Sequence, residues 1–230
     1  MRAWFKEQRR QLGVWWRLRM ARAYPETLPN PSWHRMTAAD RKRVDGLKSV
    51  CLFLGPYRNL TTLTGSLLAL HPECQVLDHA SPRVFGVERI DFLESIKSDT
   101  LHEFCHFAIT MSQGGTRGKY GGSMLVSHAF ADNPALREVY LKRFGARLLK
   151  RNIKGLVWKE PQRVTQRVRQ ENFPFVEMLE IYPKLRFLLP IRNPLDTASS
   201  ITRMGGSRWY GDLIQGDKNK ALSLVLDDIR

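Results

Sequence analysis

One unit constrains this chain more than any other, and it occurs twice: a short apolar run, a tight turn marked by Gly-Pro or Asn-Pro, then a helix. Residues 52–63 read Leu-Phe-Leu-Gly-Pro-Tyr-Arg-Asn-Leu-Thr-Thr-Leu, and residues 187–200 read Phe-Leu-Leu-Pro-Ile-Arg-Asn-Pro-Leu-Asp-Thr-Ala-Ser-Ser. A strand that ends in such a turn aims backbone N–H groups and a helix N-terminus at one spot, which favours an anion. Arg58 and Arg192 stand in the two turns. A guanidinium holds phosphate by paired hydrogen bonds that an ammonium cannot make.

The rest of the chain fits around these units. Strands are expected over 49–54, 74–77, 155–158 and 186–191. Helices are expected over 61–70, 90–110, 134 to about 151, 175–182 and 195–203. Such alternation builds a mostly parallel sheet covered on both faces, an α/β fold of three layers. The glycine-rich stretch 114–122 is expected to be an exposed, mobile loop. At 230 residues there is room for one sizeable core. The chain divides into a basic, aromatic helix and connector (1–45) and a main domain (46–230).

Charge narrows the partners. Lys and Arg number 37 against 22 Asp and Glu, a formal +15, concentrated in 1–45 (11 basic, 4 acidic) and 137–169 (11 basic, 2 acidic). Concentrated positive charge suits a polyanionic ligand, an acidic macromolecule or an anionic membrane surface, and does not choose among them. No motif interleaving basic residues with base-stacking aromatics is present, so nucleic acid is not the expected partner. Near the start, Trp4, Phe5, Trp15 and Trp16 lie among Arg9, Arg10, Arg17 and Arg19. That aromatic face is expected to pack on its own domain, with peripheral contact to a membrane as the alternative. Cys51, Cys74 and Cys105 show no CxxC pairing and read as reduced, buried thiols, which favours a cytoplasmic setting. No run of 18 apolar residues exists.

Gly55-Pro56-Tyr57-Arg58-Asn59-Leu60-Thr61-Thr62-Leu63 resembles the 5′-phosphosulfate loop of sulfotransferases, where a basic residue precedes Ser-Gly-Thr-Thr. The resemblance implies that Arg58, Thr61 and Thr62, with Asn59 beside them, hold the phosphosulfate. Asn59-Leu60 replaces Ser-Gly. Leucine takes a positive φ only at a cost, so the turn is expected to bend one residue early, at Asn59. Measured against the ATP loop GxxxxGK[ST], Leu60 replaces the second glycine and Thr61 the lysine, which removes a nucleotide-hydrolase reading. The 187–200 segment resembles the family's 3′-phosphate motif, with Arg192 and Ser200 on its two binding positions.

Leu156 to Pro161 resembles the Lys-x-Pro strand end of tyrosylprotein and several bacterial sulfotransferases, with Lys159 placed to neutralise charge on the departing oxygen. Downstream of His71-Pro72, His79 falls where that family carries its catalytic carboxylate. Asp78 and His128 remain open as alternative bases. The resemblance covers 49–80 and 155–204. It implies a P-loop-type fold, with His79, Lys159 and Arg58 as catalytic residues and 3′-phosphoadenosine 5′-phosphosulfate as co-substrate. It implies no metal, and an acceptor that is a small molecule, lipid, glycan or peptide.

The family usually continues into a segment that covers the adenine, so the chain also reads as a fragment or a shortened variant. Two other readings stand beside it. One is a non-catalytic module of the same fold that binds an anion or nucleic acid. The other is a zinc peptidase, because His102-Glu103-Phe104-Cys105-His106 spells HExxH. The extended HxxGxxH continuation is missing, and chance occurrence on an amphipathic helix is the favoured account.

Overall fold

A computed structural model describes residues 27–28, 31–170, 173–203, 214 and 216–229. The helix expected within the first 22 residues lies outside these.

Short apolar runs between turns become strands: β1 (Thr27–Leu28), β2 (Ser49–Phe53), β3 (Cys74–Asp78), β4 (Gly115–Thr116), β5 (Gly122–Ser123), β6 (Gly155–Lys159) and β7 (Leu185–Leu188). They form one mixed sheet in the order β1-β4-β5-β3-β6-β2-β7. The four longer strands are parallel, with Val50 opposite both Leu156 and Leu185, and Val76 opposite Val157. The helices are α1 (Ala38–Asp45), α2 (Thr61–Ala69), α3 (Ser81–Val84), α4 (Ser98–Met111), α5 (His128–Ala131), α6 (Pro134–Phe144), α7 (Pro161–Val168), α8 (Phe175–Ile181), α9 (Pro194–Arg203) and α10 (Lys218–Ile229).

Capping explains several helix starts. In α1, Thr37 and Asp40 form a reciprocal capping box. Proline occupies the first turn of α6 and α7, where its missing N–H costs nothing. Asn133 Oδ1 also accepts from Leu136 N–H at 3.1 Å.

Period-two alternation splits the sheet's side chains between two cores. Val50, Leu52, Leu77, Leu156 and Trp158 face α4, α7 and α8, while Phe53, Val76 and Val157 face α2, α5 and α6. Trp158 is fully buried, with its ring 4.8 Å from that of Phe104. A smaller third core joins α9 to α10 through Ala198, Ile201, Ala221 and Val225. Residues ahead of β2 belong to the body as well: Trp33, Met36 and Val44 pack on the first core.

Several expectations fail locally, and the helix expected over 134 to about 151 ends at Phe144, ahead of Gly145 (φ 60°). The glycine-rich stretch is not a mobile loop; it supplies β4 and β5, which extend the sheet antiparallel from β3. Gly115 (φ 98°) and Gly121 (φ 66°) take conformations that favour glycine. A Cβ on Gly121 would strike the carbonyl of Asp78, so the close approach of backbones needs its absence. The sheet is therefore mixed rather than purely parallel. The helix expected over 90–110 begins only at Ser98, because Asp91 holds the preceding turns. Its carboxylate accepts from Gly86 N–H at 2.8 Å and from Arg167 Nη2 at 3.0 Å.

Strand order positions the site. After β2 the chain crosses to β3 on one side, whereas after β6 it crosses to β7 on the other. Neighbouring strands whose connections leave in opposite directions open a crevice at their carboxyl ends, where open α/β sheets bind ligands. Among the described residues no helix is long and apolar enough to cross a membrane.

Candidate functional site

An open cleft of about 590 Å³ lies at that crevice, a size ordinary for a small-molecule site. Every parallel strand sends its following loop there: Tyr57, Arg58 and Leu60 to Leu63 after β2, His79 after β3, Lys159, Gln162 and Arg163 around the end of β6, and Arg192 after β7. Lys119 and His128 complete the far wall.

The two arginine-bearing turns are tied together by Asn59. Its side chain is fully buried; Nδ2 donates to the carbonyl of Pro190 and Oδ1 accepts from Arg192 N–H at 2.8 Å. Arg192 Nη1 reaches back to the carbonyl of Arg58 at 3.4 Å, and Arg58 Nε donates to Ser200 Oγ at 3.0 Å. Asn59 therefore holds the loops in register, with both ends of its amide already used by the protein.

The bend differs from the expected one. Leu60 itself is left-handed (φ 60°), as is Arg58 (φ 69°), while Asn59 is not. Asn59 reaches Pro190 and Arg192 while the left-handed conformation falls on its two neighbours, at about 1–2 kcal/mol each. Leu60 stands at the N-cap of α2 and no side chain caps the helix there. The first-turn N–H groups, with Thr61 and Thr62, open towards the cleft.

Burial lowers the Arg58 pKa, and the nearby charges of Arg192 and Arg203 lower it further. Among the described residues neither Arg58 nor Arg192 forms an ion pair with a carboxylate. Like charges gathered at a helix N-terminus suit an anion that is shared between them.

A second cluster lies beneath. Lys159 Nζ, almost fully buried, sits 3.0 Å from Asp78 Oδ1 and 3.0 Å from His79 Nε2. An ammonium only donates, so Nε2 of His79 is the accepting nitrogen and its proton resides on Nδ1, facing Glu160 Oε1 at 3.3 Å. Glu160 is fully buried and also accepts from Ser81 N–H at 3.2 Å and Tyr57 Oη–H at 3.1 Å. Burial pushes the Glu160 carboxyl up, but its contacts with His79, Ser81 and Lys159 outweigh it and hold the pKa at about 2. Burial, then Lys159, lowers the pKa of His128. His79 is held at φ 57°, and its carbonyl accepts from Trp158 Nε1–H, so the largest core side chain fixes the backbone that carries the imidazole.

Of the residues singled out in the sequence, Arg58, Thr61, Thr62, His79, Lys159 and Arg192 all line the cleft. Ser200 reaches it through Arg58. Asn59 stands behind the wall. Sequence reasoning missed Glu160, which it could have caught as the middle letter of Lys-Glu-Pro. It also missed Gln162, whose buried amide has no hydrogen-bond partner among the described residues and lies in the cleft lining. No local signal marks Gln162.

The HExxH letters do not form one centre. His102 Nε2 faces Asp45 at 3.5 Å, Glu103 pairs with Arg89 at 2.8 Å, and His106 turns towards His34 and Asp40. The three thiols are free, and burial drives them up to about 11, 11 and 12 for Cys51, Cys74 and Cys105. Compared with protein-family models and with curated proteins, the chain matches none.

Proposed function

We propose that this chain is a sulfotransferase on a P-loop-type, three-layer fold. It moves the sulfuryl group of 3′-phosphoadenosine 5′-phosphosulfate to a hydroxyl or amine acceptor. The observation that carries the reading is the Asn59 clasp, which brings two arginine turns 133 residues apart onto one cleft. Arg58, the open N–H groups of α2, Thr61 and Thr62 suit the phosphosulfate; Arg192 and Ser200 suit the 3′-phosphate. The unpartnered amide of Gln162 offers both a donor and an acceptor to whichever substrate group enters.

The chemistry asks for a base, an in-line path and charge relief at the leaving oxygen. As the acceptor oxygen bonds to sulfur, its proton passes to His79 Nε2, whose tautomer Glu160 holds through Nδ1–H. The bond from sulfur to the bridging phosphate oxygen breaks. Lys159, released from His79 as Nε2 takes the proton, turns its ammonium to that oxygen. Sulfur and phosphorus keep their oxidation states and no metal enters the balance. The acceptor is of a class that tolerates a mostly basic wall, since Lys119 and Arg163 line the cleft with Asp132 the one carboxylate among its lining residues.

Titration with 3′-phosphoadenosine 5′-phosphate tests the assignment. Arg192→Ala should weaken binding about 10- to 100-fold, the value of a charge-assisted hydrogen bond to an ion. Equal affinity in the two proteins removes the site. One observation favours the second reading, a non-catalytic anion-binding module: Arg58 already occupies Ser200, and Leu60 strains the loop where a glycine would relax it. Tight binding of the donor product without sulfate transfer to phenolic, sugar or amine acceptors selects the module.

A further inference from the structure

Outside the cleft lining, three metal-ligating side chains meet, two from one stretch of chain and the third from a helix some seventy residues on. His34 lies ahead of α1, Asp40 in its first turn, and His106 on α4. Their candidate ligand atoms all lie within 4.8 Å of one another. His34 Nε2 is 3.4 Å from Asp40 Oδ2, and His106 Nδ1 is 3.9 Å from Asp40 Oδ1. Ligand atoms around a tetrahedral zinc ion, each at about 2.0–2.1 Å, stand about 3.3 Å apart, so a small inward movement suffices.

The hydrogen bonds say which atoms are free. His106 is buried, and its Nε2 faces the carbonyl of His34 at 3.1 Å. A carbonyl only accepts, so that nitrogen carries a proton, and in the neutral imidazole the lone pair of Nδ1 points at a carboxylate. Two acceptors facing each other at 3.9 Å, too far for a hydrogen bond, need positive charge beside them, which in the chain alone Arg43 supplies from the rim. A metal-bound histidine orients itself in this way, donating its other N–H to a backbone oxygen. Asp40 is also held in place: Oδ2 accepts from Thr37 N–H at 3.1 Å and from Thr37 Oγ–H at 2.6 Å. The remaining neighbours are Arg43, whose Nη1 reaches Asp40 Oδ1 at 3.2 Å, and the carbonyl of Ser32, 3.5 Å from His34 Nδ1.

We infer that His34, Asp40 and His106 bind one divalent cation of the zinc class, with a fourth, solvent-facing position beside the exposed His34. Two imidazoles and a carboxylate are borderline donors suited to zinc rather than to calcium or magnesium. Arg43, itself exposed, is the resident cation at the rim and gives way to the metal. The ion staples the stretch ahead of α1 to α4, beside the edge contact of Trp33 on Phe107 at 5.4 Å. This site shares His106 with the HExxH letters but uses neither His102 nor Glu103. It is independent of the sulfotransferase reading.

The test is a zinc titration of chelator-treated full-length chain against a chromophoric competitor, followed by thermal unfolding. Wild type should take up one equivalent and melt at a higher temperature with zinc. His34→Ala, at an exposed position, should weaken uptake at least about tenfold, since even outer-shell losses cost that much, while leaving circular dichroism unchanged. Arg43→Gln should tighten uptake by removing the competing charge. No stoichiometric uptake in wild type, uptake that His34→Ala leaves unchanged, or weaker uptake in Arg43→Gln each overturns the site.

Discussion

At the carboxyl end of α2, the carbonyls of Ala69, His71 and Cys74 accept from Lys150 Nζ at 2.5–2.6 Å, and Arg143 Nη1 takes that of Leu70 at 3.1 Å. The amino end of the same helix has no side-chain cap, yet Arg58 and Arg192 gather around it. Cations at a helix C-terminus complement its dipole; cations at an N-terminus oppose it. One end is therefore closed by the protein's own charge, and the other is left unfavourable until an anion arrives. Positive charge that is consumed internally stabilises the fold, and positive charge that is not consumed marks the site. The net +15 of the chain says nothing about which is which.

The largest effect should come from breaking the closed end. Lys150→Ala strips a buried cation from three carbonyls and should cost about 3–5 kcal/mol in urea unfolding, without changing donor-product affinity in the protein that remains folded. If both properties fall together, the two ends are not separable. Next comes the open end: Lys159→Ala should slow sulfate transfer about 10²- to 10³-fold, the scale of losing one group that stabilises developing charge. A rate within a factor of three of wild type would remove Lys159 from the reaction.

A pH window sharpens the contrast. Burial, only partly offset by Cys74, lowers the Lys150 pKa to about 8 from its ordinary 10.5. Between those values the unfolded chain binds more protons than the folded one, so this group makes stability rise with pH, by at most about 1.4 kcal/mol per unit. Lys150→Met should flatten that part of the stability–pH curve; an unchanged slope assigns the window to other groups. The smallest effect belongs to Leu60→Gly. Relief of the left-handed leucine, less the added freedom of glycine in the unfolded chain, should stabilise by roughly 0.5–1 kcal/mol, read as a higher urea midpoint. A loss of stability would mean that the Leu60 side chain supports the loop.

Much was legible because much is local. Strand-turn-helix units, proline at helix starts and the positions of Arg58, Thr61, Thr62 and Arg192 follow from short-range rules of propensity and spacing. Helix and strand centres were found more readily than ends, since ends depend on caps such as Asp91 that reach across the chain. The glycine stretch misled for a similar reason: glycine marks either freedom or a backbone approach too close for a Cβ, and only the neighbouring strand decides.

What the chain alone determined is the inventory of parts: an α/β alternation, two turns that each end in arginine, and enough apolar periodicity to cover a sheet on both faces. Tertiary structure decided how they work together. It set Asn59 as a clasp instead of a ligand, gave His79 its tautomer through Glu160, left Gln162 without a partner, and separated the histidines of one HExxH into two unrelated settings. All of these depend on contacts between residues far apart in sequence. Such contacts leave no period or propensity behind, because their energy comes from burial and from what each polar group finds opposite it once the chain has closed.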